Sequence, residues 1–220
     1  IHGYSSFGVL ICSAYKQDPA PHGPILQTIK GRGMRGQDIN FKIAYPLAAM
    51  WSAFANCAGW RILPMDRHSQ CPNSVERPWS LMLYTDEVTP SNVLATMPTG
   101  KVQAIYFSFL ELGHAALARE DAWFCIMAQR SNLVKKCARG LAQVLGAILK
   151  LLFPTHHGHH LHHCGVVLAN AEDRRPYVRL HAALRIVVQD GAAYTDVWKC
   201  QGDGGTRVRM LCRALGARSE

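Results

Sequence analysis

Two runs of strand-forming residues, separated by a polar segment, constrain the fold of this chain more than any other stretch. Residues 79–85 and 102–110 are rich in aromatic and aliphatic side chains, which is typical of strands that pack in a core. Asp86 and Glu87 directly follow the first run. Acidic residues at the end of a strand often bind a metal ion, but an ordinary exposed hairpin has the same sequence pattern. A metal site therefore requires a second acid elsewhere in the chain.

The sequence after these two runs predicts another strand and a long helix. A third apolar run covers residues 122–128. Beyond it, apolar side chains recur every three or four positions, which predicts one amphipathic helix over 132–153. Ser131 is the expected N-cap and Pro154 the expected stop. The basic residues on the polar face of this helix are Lys135, Lys136 and Arg139.

Two later runs are predicted to be strands. The first is short, at residues 165–169, and the second covers 177–189, with residues 186–188 expected to be fully buried. Asp190 follows the second run directly. Apart from the short strand at 165–169, the predicted order from residue 79 onward is therefore strand, strand, strand, helix, strand, with an acid at the end of the first and of the last.

The segment before these strands is predicted to be an extension with one helix. Pro46 opens an apolar stretch with helical spacing, which predicts a helix over about 45–58 with Gly59 as its stop. Residues 60–78 contain several prolines and are expected to form a loop.

Short strands are also expected at 7–13 and 25–29. The basic, glycine-rich run 30–36 lacks the spacing of a P-loop, so we expect it to be a solvated hairpin turn.

Composition favours an anionic partner. The formal net charge is +9 and the sequence pI about 9.3, which suits nucleic acid. Eight cysteines include no C-x-x-C pair, which favours reduced thiols and an intracellular compartment. No signal peptide is recognised, and the apolar run 141–153 is too short to cross a bilayer, so no membrane partner is expected. The dense histidines at 156–163 could bind metal ions adventitiously, but a polar loop is the better interpretation.

The order of predicted elements resembles the first half of the RNase H-like fold, an α/β fold with a β-β-β-α-β mixed sheet. In that fold the fourth strand lies beside the first, and their carboxylates meet at one end of the sheet. Asp86 and Asp190 would then hold Mg²⁺ or Mn²⁺, because hard cations prefer oxygen ligands. Such ions stabilise the attacking and leaving oxygens of a phosphodiester. Glu87 would be a further ligand or a solvated neighbour, and an aspartate at a strand end can also simply cap a turn.

Four motifs resemble the Plavaka/KDZ group of DDE transposases. They are LYTDEVTP (83–90), KVQAIYFSFLELG (101–113), AWFCIMAQRSNLVKK (122–136) and VVQDGAAYTDVWKCQGDGG (187–205). More closely, residues 22–213 are similar to a multicopy set of eukaryotic transposase-derived proteins with YSDEVTP and VQDGAAHKxxW motifs.

The resemblance implies catalytic roles for both aspartates. Asp86 matches the first catalytic acid of the family and Asp190 the second, with Mg²⁺ or Mn²⁺ as cofactor, DNA as partner and the nucleus as location. The third acid is expected on a later helix, and Glu220 does not suit that role. Related sequences carry a C-x-x-C pair after the second acid, and Arg209 stands in place of its first cysteine. The remaining candidate zinc ligands are Cys200 and Cys212.

These observations divide the chain into an extension (1–78), a partial catalytic core (79–198) and a basic tail with cysteines (199–220). The expected nucleic-acid contacts are Lys135, Lys136, Arg139, Arg207 and Arg209. Three functions remain open. They are a transposase-derived domain for phosphodiester cleavage and strand transfer, a DNA-binding remnant without cleavage, and a histidine-rich metal-binding protein.

Overall fold

The computed structural model describes residues 21–88, 100–155, 160–170, 176–189 and 197. The strands are β1 Leu26–Arg32, β2 Asp38–Ala44, β3 Trp79–Val88, β4 Val102–Phe109, β5 Phe124–Arg130, β6 Val166–Ala169, β7 Pro176–Leu180 and β8 Ala182–Gln189. The α-helices are α1 Pro46–Asn56, α2 Ala58–Gln70, α3 His114–Leu117, α4 Ser131–Val134 and α5 Gly140–Leu152. The predicted strand at 7–13 and the tail 199–220 lie outside the described residues.

The main sheet of the described chain has the strand order β5-β4-β3-β8. Strand β4 runs antiparallel to both β3 and β5, whereas β8 runs parallel to β3. The protein is therefore α/β with a mixed sheet. The predicted arrangement of three antiparallel strands, with a later strand beside the first, is the one observed. The short strand predicted at 165–169 is confirmed as β6. Its pairing with β7 in a separate antiparallel ladder between α5 and β8 was not predicted.

Strand β3 has one face in the core and one face only half covered. Leu81, Leu83 and Thr85 are fully buried, and the side chains between them are more exposed. This period of two is expected of a strand, because successive side chains point to opposite faces of a sheet. Tyr84 and Asp86 therefore lie on the half-covered face.

The N-terminal segment packs against the main sheet. Strands β1 and β2 form an antiparallel hairpin. The turn expected at 30–36 is confirmed only for its second half, because residues 30–32 belong to β1. The side-chain amide of Gln129 in β5 donates a hydrogen bond of 3.3 Å to the backbone oxygen of Lys42 in β2. Helix α1 begins at Pro46, as predicted. The buried apolar residues of this segment and of the main sheet form one continuous core.

The predicted stop at Gly59 is wrong, and so is the loop over the first part of 60–78, because α2 follows α1 almost directly. The guanidinium of Arg61 closes the end of α1. Its Nε and Nη2 donate to the backbone oxygens of Phe54 and Ala55, at 2.8 and 3.0 Å. A side chain therefore satisfies carbonyls that a terminating glycine would otherwise expose. The proline inside α2 is buried rather than marking a loop.

The predicted single helix over 132–153 is also wrong, because residues 135–139 separate α4 from α5. These residues leave the helical path to pair with the tip of the β1–β2 hairpin, where Cys137 forms an antiparallel bridge with Gly33. Gly140 restarts the helix at a φ of 50°, in the left-handed region that glycine enters most easily. Apolar periodicity could not reveal this break, because the inward-facing spacing continues across it.

The two predicted ends of that helix have different outcomes. Pro154 follows the end of α5, as expected. Ser131 is not the N-cap, since it is the first residue of α4 and Arg130 takes the cap position without a side-chain hydrogen bond.

The predicted strand at 177–189 is two strands, β7 and β8, which belong to different sheets. His181 separates them, and its backbone N–H and C=O are bonded by the side-chain amide of Asn73 at 2.6 and 2.7 Å. The expected full burial of residues 186–188 is wrong, because β8 lies at the edge of the described sheet. Val188 is 40 % exposed there.

Candidate active site

The candidate site is built on the parallel pairing of β3 and β8. The register runs from Trp79 opposite Ala182 to Thr85 opposite Gln189. At the end of this ladder, Nε2 of Gln189 donates a hydrogen bond of 3.0 Å to Oγ1 of Thr85. Thr85 is fully buried, so this bond fixes the register of the two strands at their ends. Each of the two predicted acids is the next residue in the sequence after one of these bonded residues. Asp190, the second of them, lies outside the described residues.

Asp86 lies on the half-covered face of β3, beside aromatic rings. The Tyr84 hydroxyl donates a hydrogen bond of 3.1 Å to Oδ2 of Asp86. The Tyr84 ring stacks on that of Tyr106 and meets Trp123 edge-on, with a centroid separation of 6.1 Å in each case. The backbone oxygen of Asp86 accepts a 3.0 Å bond from the side-chain amide of Gln103. Both the side chain and the backbone of Asp86 are therefore held in place.

Glu87 lies on the opposite face of the sheet from Asp86, as the alternation of a strand requires. Its carboxylate forms ion pairs with Lys101 at 2.8 Å and with Lys135 at 3.8 Å. The pKa of Glu87 is lowered, first by the hydrogen bond from Lys101, then by the nearby Ser131 hydroxyl, against an opposing effect of burial. That hydroxyl is buried and has no hydrogen bond of good geometry. Glu87, predicted as a further metal ligand, thus has ammonium groups as its contacts.

The three basic residues predicted on the helix face lie in the structure between two helices. Lys135, Lys136 and Arg139 are all exposed and lie in the segment between α4 and α5. Lys135 reaches Glu87, so this segment borders the end of β3. The remaining predicted contacts, Arg207 and Arg209, lie outside the described residues, as do the candidate zinc ligands Cys200 and Cys212.

Three of the clustered histidines are described, and their rings contact each other. The ring centroid of His163 lies 4.4 Å from that of His160 and 4.6 Å from that of His162. The three rings line a cavity of about 300 Å³ together with Phe153, Ala183 and Leu184. Burial lowers the pKa of His160, and the neighbouring His163 and His162 lower it further. Nδ1 of His160 also accepts backbone N–H groups of both neighbours, at 3.2 and 3.3 Å.

Within the described ranges, no three or more His, Cys, Asp or Glu side chains are grouped so that they could hold a metal ion. Asp86 alone therefore offers one carboxylate, which is a suitable ligand type for Mg²⁺ or Mn²⁺ but not a complete site. The same ranges contain no helix long and apolar enough to cross a membrane.

Sequence reasoning missed the side chains that hold Asp86. Tyr84 stands two positions before Asp86, and on a strand this spacing puts both side chains on one face. That signal was available in the sequence. Gln103 and Gln189 had no such signal, because their roles depend on pairing between strands that are distant in the sequence.

Comparisons of the chain with protein-family models, with curated proteins and with solved structures gave no match.

Proposed function

We propose that this chain is a transposase-derived, nucleic-acid-processing domain that cleaves phosphodiesters with Mg²⁺ or Mn²⁺ held by Asp86 and Asp190. One observation carries the proposal. Strand β8 lies parallel beside β3, and the last described pair of that ladder, Thr85 and Gln189, immediately precedes the two aspartates.

Strand geometry supports the meeting of the two acids. Neighbouring strands lie about 4.8 Å apart, and consecutive Cα atoms about 3.8 Å apart. Gln189 and Thr85 share a face, since their side chains are hydrogen-bonded. If β8 continued by one residue, Asp190 would turn to the other face, which is that of Asp86. Two carboxylates on adjacent strands and on one face are within reach of a shared ion.

The same strand order supports an RNase H-like fold, in the group resembling the Plavaka/KDZ transposases. Three antiparallel strands precede the helical segment, and β8 lies parallel to the first of them. The β6–β7 hairpin would be an insertion before the fourth strand. DNA as the partner and a nuclear location follow from this proposal and from the net charge of +9.

The chain's own residues have defined roles in this proposal. Asp86 and Asp190 would hold the divalent ion, which supplies a lowered pKa for the attacking water or 3′-hydroxyl and charge stabilisation for the phosphoryl oxygens. The Tyr84 hydroxyl, bonded to Oδ2 of Asp86, orients that carboxylate. Lys135, at the rim beside Glu87, would attract the nucleic-acid backbone.

The test is nicking of supercoiled DNA in the presence of Mg²⁺ or Mn²⁺. We expect the wild type to nick, and Asp86→Ala and Asp190→Ala each to reduce nicking to background. Asp66→Ala is the matched control, because Asp66 is an exposed aspartate on α2. Nicking that survives Asp86→Ala would refute the proposal.

A second candidate is a DNA-binding remnant without cleavage. It is favoured by the engagement of Glu87 with two lysines rather than with the Asp86 face. Salt-sensitive DNA binding with no Asp86-dependent nicking would establish this function instead.

A further inference from the structure

We propose that the tip of the β1–β2 hairpin and the segment between α4 and α5 form one binding surface for the phosphate backbone of duplex DNA. We call it the basic surface and define it as Arg32, Arg35, Lys136 and Arg139. The inference rests on the proposed function, because DNA is the partner that the proposed function requires. The sequence alone predicted residues 30–36 to be a solvated turn.

Backbone hydrogen bonds join the two halves of the basic surface. The N–H of Ala138 donates to the backbone oxygen of Arg32 at 2.9 Å, and the N–H of Met34 donates to that of Lys136 at 3.2 Å. Between these bonds, Gly33 bridges Cys137. Two arginines from the hairpin are thereby held beside two cations that follow them by about one hundred positions in the sequence.

Gly31 makes this close approach possible. A Cβ at this position would lie 2.9 Å from the sulfur of Cys137 and 2.9 Å from the ring of Phe41. Both of these side chains are buried, so they have little room to move. The backbone that carries the basic surface is therefore held in place before a ligand binds. This reduces the conformational entropy that is lost on binding.

The basic surface has charges available for an anion. Arg32, Arg35, Lys136 and Arg139 are all exposed. Among the described residues, no carboxylate lies within ion-pair distance of any of these four side chains. Asp38, the acid at the start of β2, pairs with Lys30 instead, at 3.4 Å. Four neighbouring cationic side chains, none of them paired with a described carboxylate, form the electrostatic pattern expected of a surface that contacts phosphates.

The basic surface extends to the end of β3 on the Glu87 side of the sheet. Lys135 precedes Lys136 in the chain and forms an ion pair of 3.8 Å with Glu87, the residue after Asp86. Lys101 reaches the same carboxylate at 2.8 Å. A DNA strand on the basic surface would thus approach the end of β3 past two further ammonium groups.

The chemistry of the surface favours DNA over a membrane or an apolar protein partner. Its four defining side chains are all cationic, and the large apolar side chain among them, Met34, stands alone on the hairpin tip at 72 % exposure. Binding to a bilayer surface requires a broad apolar face as well as positive charge, and a single methionine does not provide one. A surface of cationic side chains without an apolar face suits the phosphate backbone of DNA.

The experiment measures binding of the full chain to a mixed-sequence duplex of about 20 base pairs by fluorescence anisotropy, from about 50 to about 200 mM salt. EDTA is present throughout, so that neither metal nor cleavage affects the result. The test variants are Arg32→Gln/Arg35→Gln and Lys136→Gln/Arg139→Gln. The control, Arg77→Gln/Lys150→Gln, removes the same net charge from exposed positions elsewhere. Lys150 lies ten residues along α5 from Gly140, which is about 15 Å.

We expect each test variant to lose about two phosphate contacts. The slope of log K against log salt should fall by about 1.8, and the affinity near 0.1 M salt should fall roughly 10- to 60-fold. The control should change the slope by less than about 0.5. Matching far-UV circular dichroism and urea midpoints would show that the variants fold.

Three results would overturn the inference. They are equal losses in the control and test variants, unchanged slopes in the test variants, and variant-sensitive binding to phosphatidylserine vesicles without DNA binding. Because EDTA removes divalent metal ions, this assay reports backbone binding and not cleavage. Loss of nicking activity, which would count against the proposed function, is therefore measured separately from loss of backbone binding.

Discussion

Glu87 gives a quantitative prediction, because one carboxylate is shared by two lysines in unequal environments. Nζ of Lys101 lies 2.8 Å from Oε2, and its side chain is 41 % exposed. Nζ of Lys135 lies 3.8 Å from Oε1, and its side chain is 74 % exposed. The Glu87 side chain is itself only 26 % exposed. Lys101 should therefore contribute more to stability than Lys135.

The magnitudes follow from distance and screening. Two unit charges about 4 Å apart interact by about 1 kcal/mol in water and about 4 kcal/mol at an effective dielectric constant of 20. Side-chain entropy and solvent screening reduce exposed pairs to about 0.2–1 kcal/mol. We therefore expect a coupling free energy of about 1 kcal/mol for Glu87–Lys101 and about 0.3 kcal/mol for Glu87–Lys135.

Two double-mutant cycles in urea denaturation measure these couplings, with Glu87→Gln, Lys101→Gln and Lys135→Gln as the single changes. The folded-state pKa of Glu87 is lowered, so its contribution is fully present above the unfolded pKa of about 4.3. It is lost as the pH falls through the lower folded-state value. The stability difference between wild type and Glu87→Gln should thus be constant at neutral pH and should disappear in acid. Equal couplings for the two lysines, or a difference that persists in acid, would refute this reasoning.

Three further substitutions each test one contact, namely the close packing at Gly31, the end of α1 and the pairing of β3 with β8. Gly31→Ala should destabilise the fold by about 1–3 kcal/mol in urea, because the new methyl group meets the buried sulfur of Cys137, and Cys137→Ala should restore part of that loss. Arg61→Ala should lower the free energy of unfolding by about 1.5–3 kcal/mol by removing both bonds to the end of α1, and an effect below about 0.5 kcal/mol would contradict the capping role. Thr85→Val should cost about 1 kcal/mol by removing the acceptor of the Gln189 amide, and it should reduce metal-dependent nicking more than Asp66→Ala does. Nicking at the wild-type rate in Thr85→Val would show that this bond does not position the site.

The strands could be predicted where burial alone determines them. The runs that became β3, β4 and β5 contain aromatic and aliphatic residues dense enough to indicate strands without knowledge of their partners. The position of β8 beside β3 was expected from the resemblance of the element order to the RNase H-like fold. Asp86 was found because it follows such a run directly. The strands and Asp86 thus came from local composition, and the pairing of β8 came from the resemblance.

The errors arose where a specific side-chain or backbone contact overrides a local signal. Gly59 signals the end of a helix, but Arg61 satisfies the open carbonyls of α1 and permits a second helix at once. The amphipathic pattern over 132–153 is continuous, but pairing of Cys137 with Gly33 interrupts the helix. His181 lies inside a uniform β-forming run, and only the amide of Asn73 shows that the strand divides there. None of these contacts can be read from a sequence window.

The partners of the Asp86 site were harder to predict than the acid itself. Glu87 resembles Asp86 in sequence position, but the alternation of β3 directs it to Lys101 and Lys135. The net charge of +9 predicted a basic surface for an anionic partner. It did not indicate that Arg32 and Arg35 of the hairpin would lie beside Lys136 and Arg139.

The late position of β8 in the sequence has a consequence for the synthesis of this protein on the ribosome. Strands β3, β4 and β5 can pair as soon as residue 130 has emerged, since each neighbours the next in the chain. The bond between Thr85 and Gln189 joins residues 104 positions apart, so the β3 edge must wait for the strand that covers it. Closing a loop of that length is slow, and an uncovered edge can pair with other chains meanwhile. The nascent chain therefore has its greatest need for chaperone protection between the synthesis of β5 and that of β8.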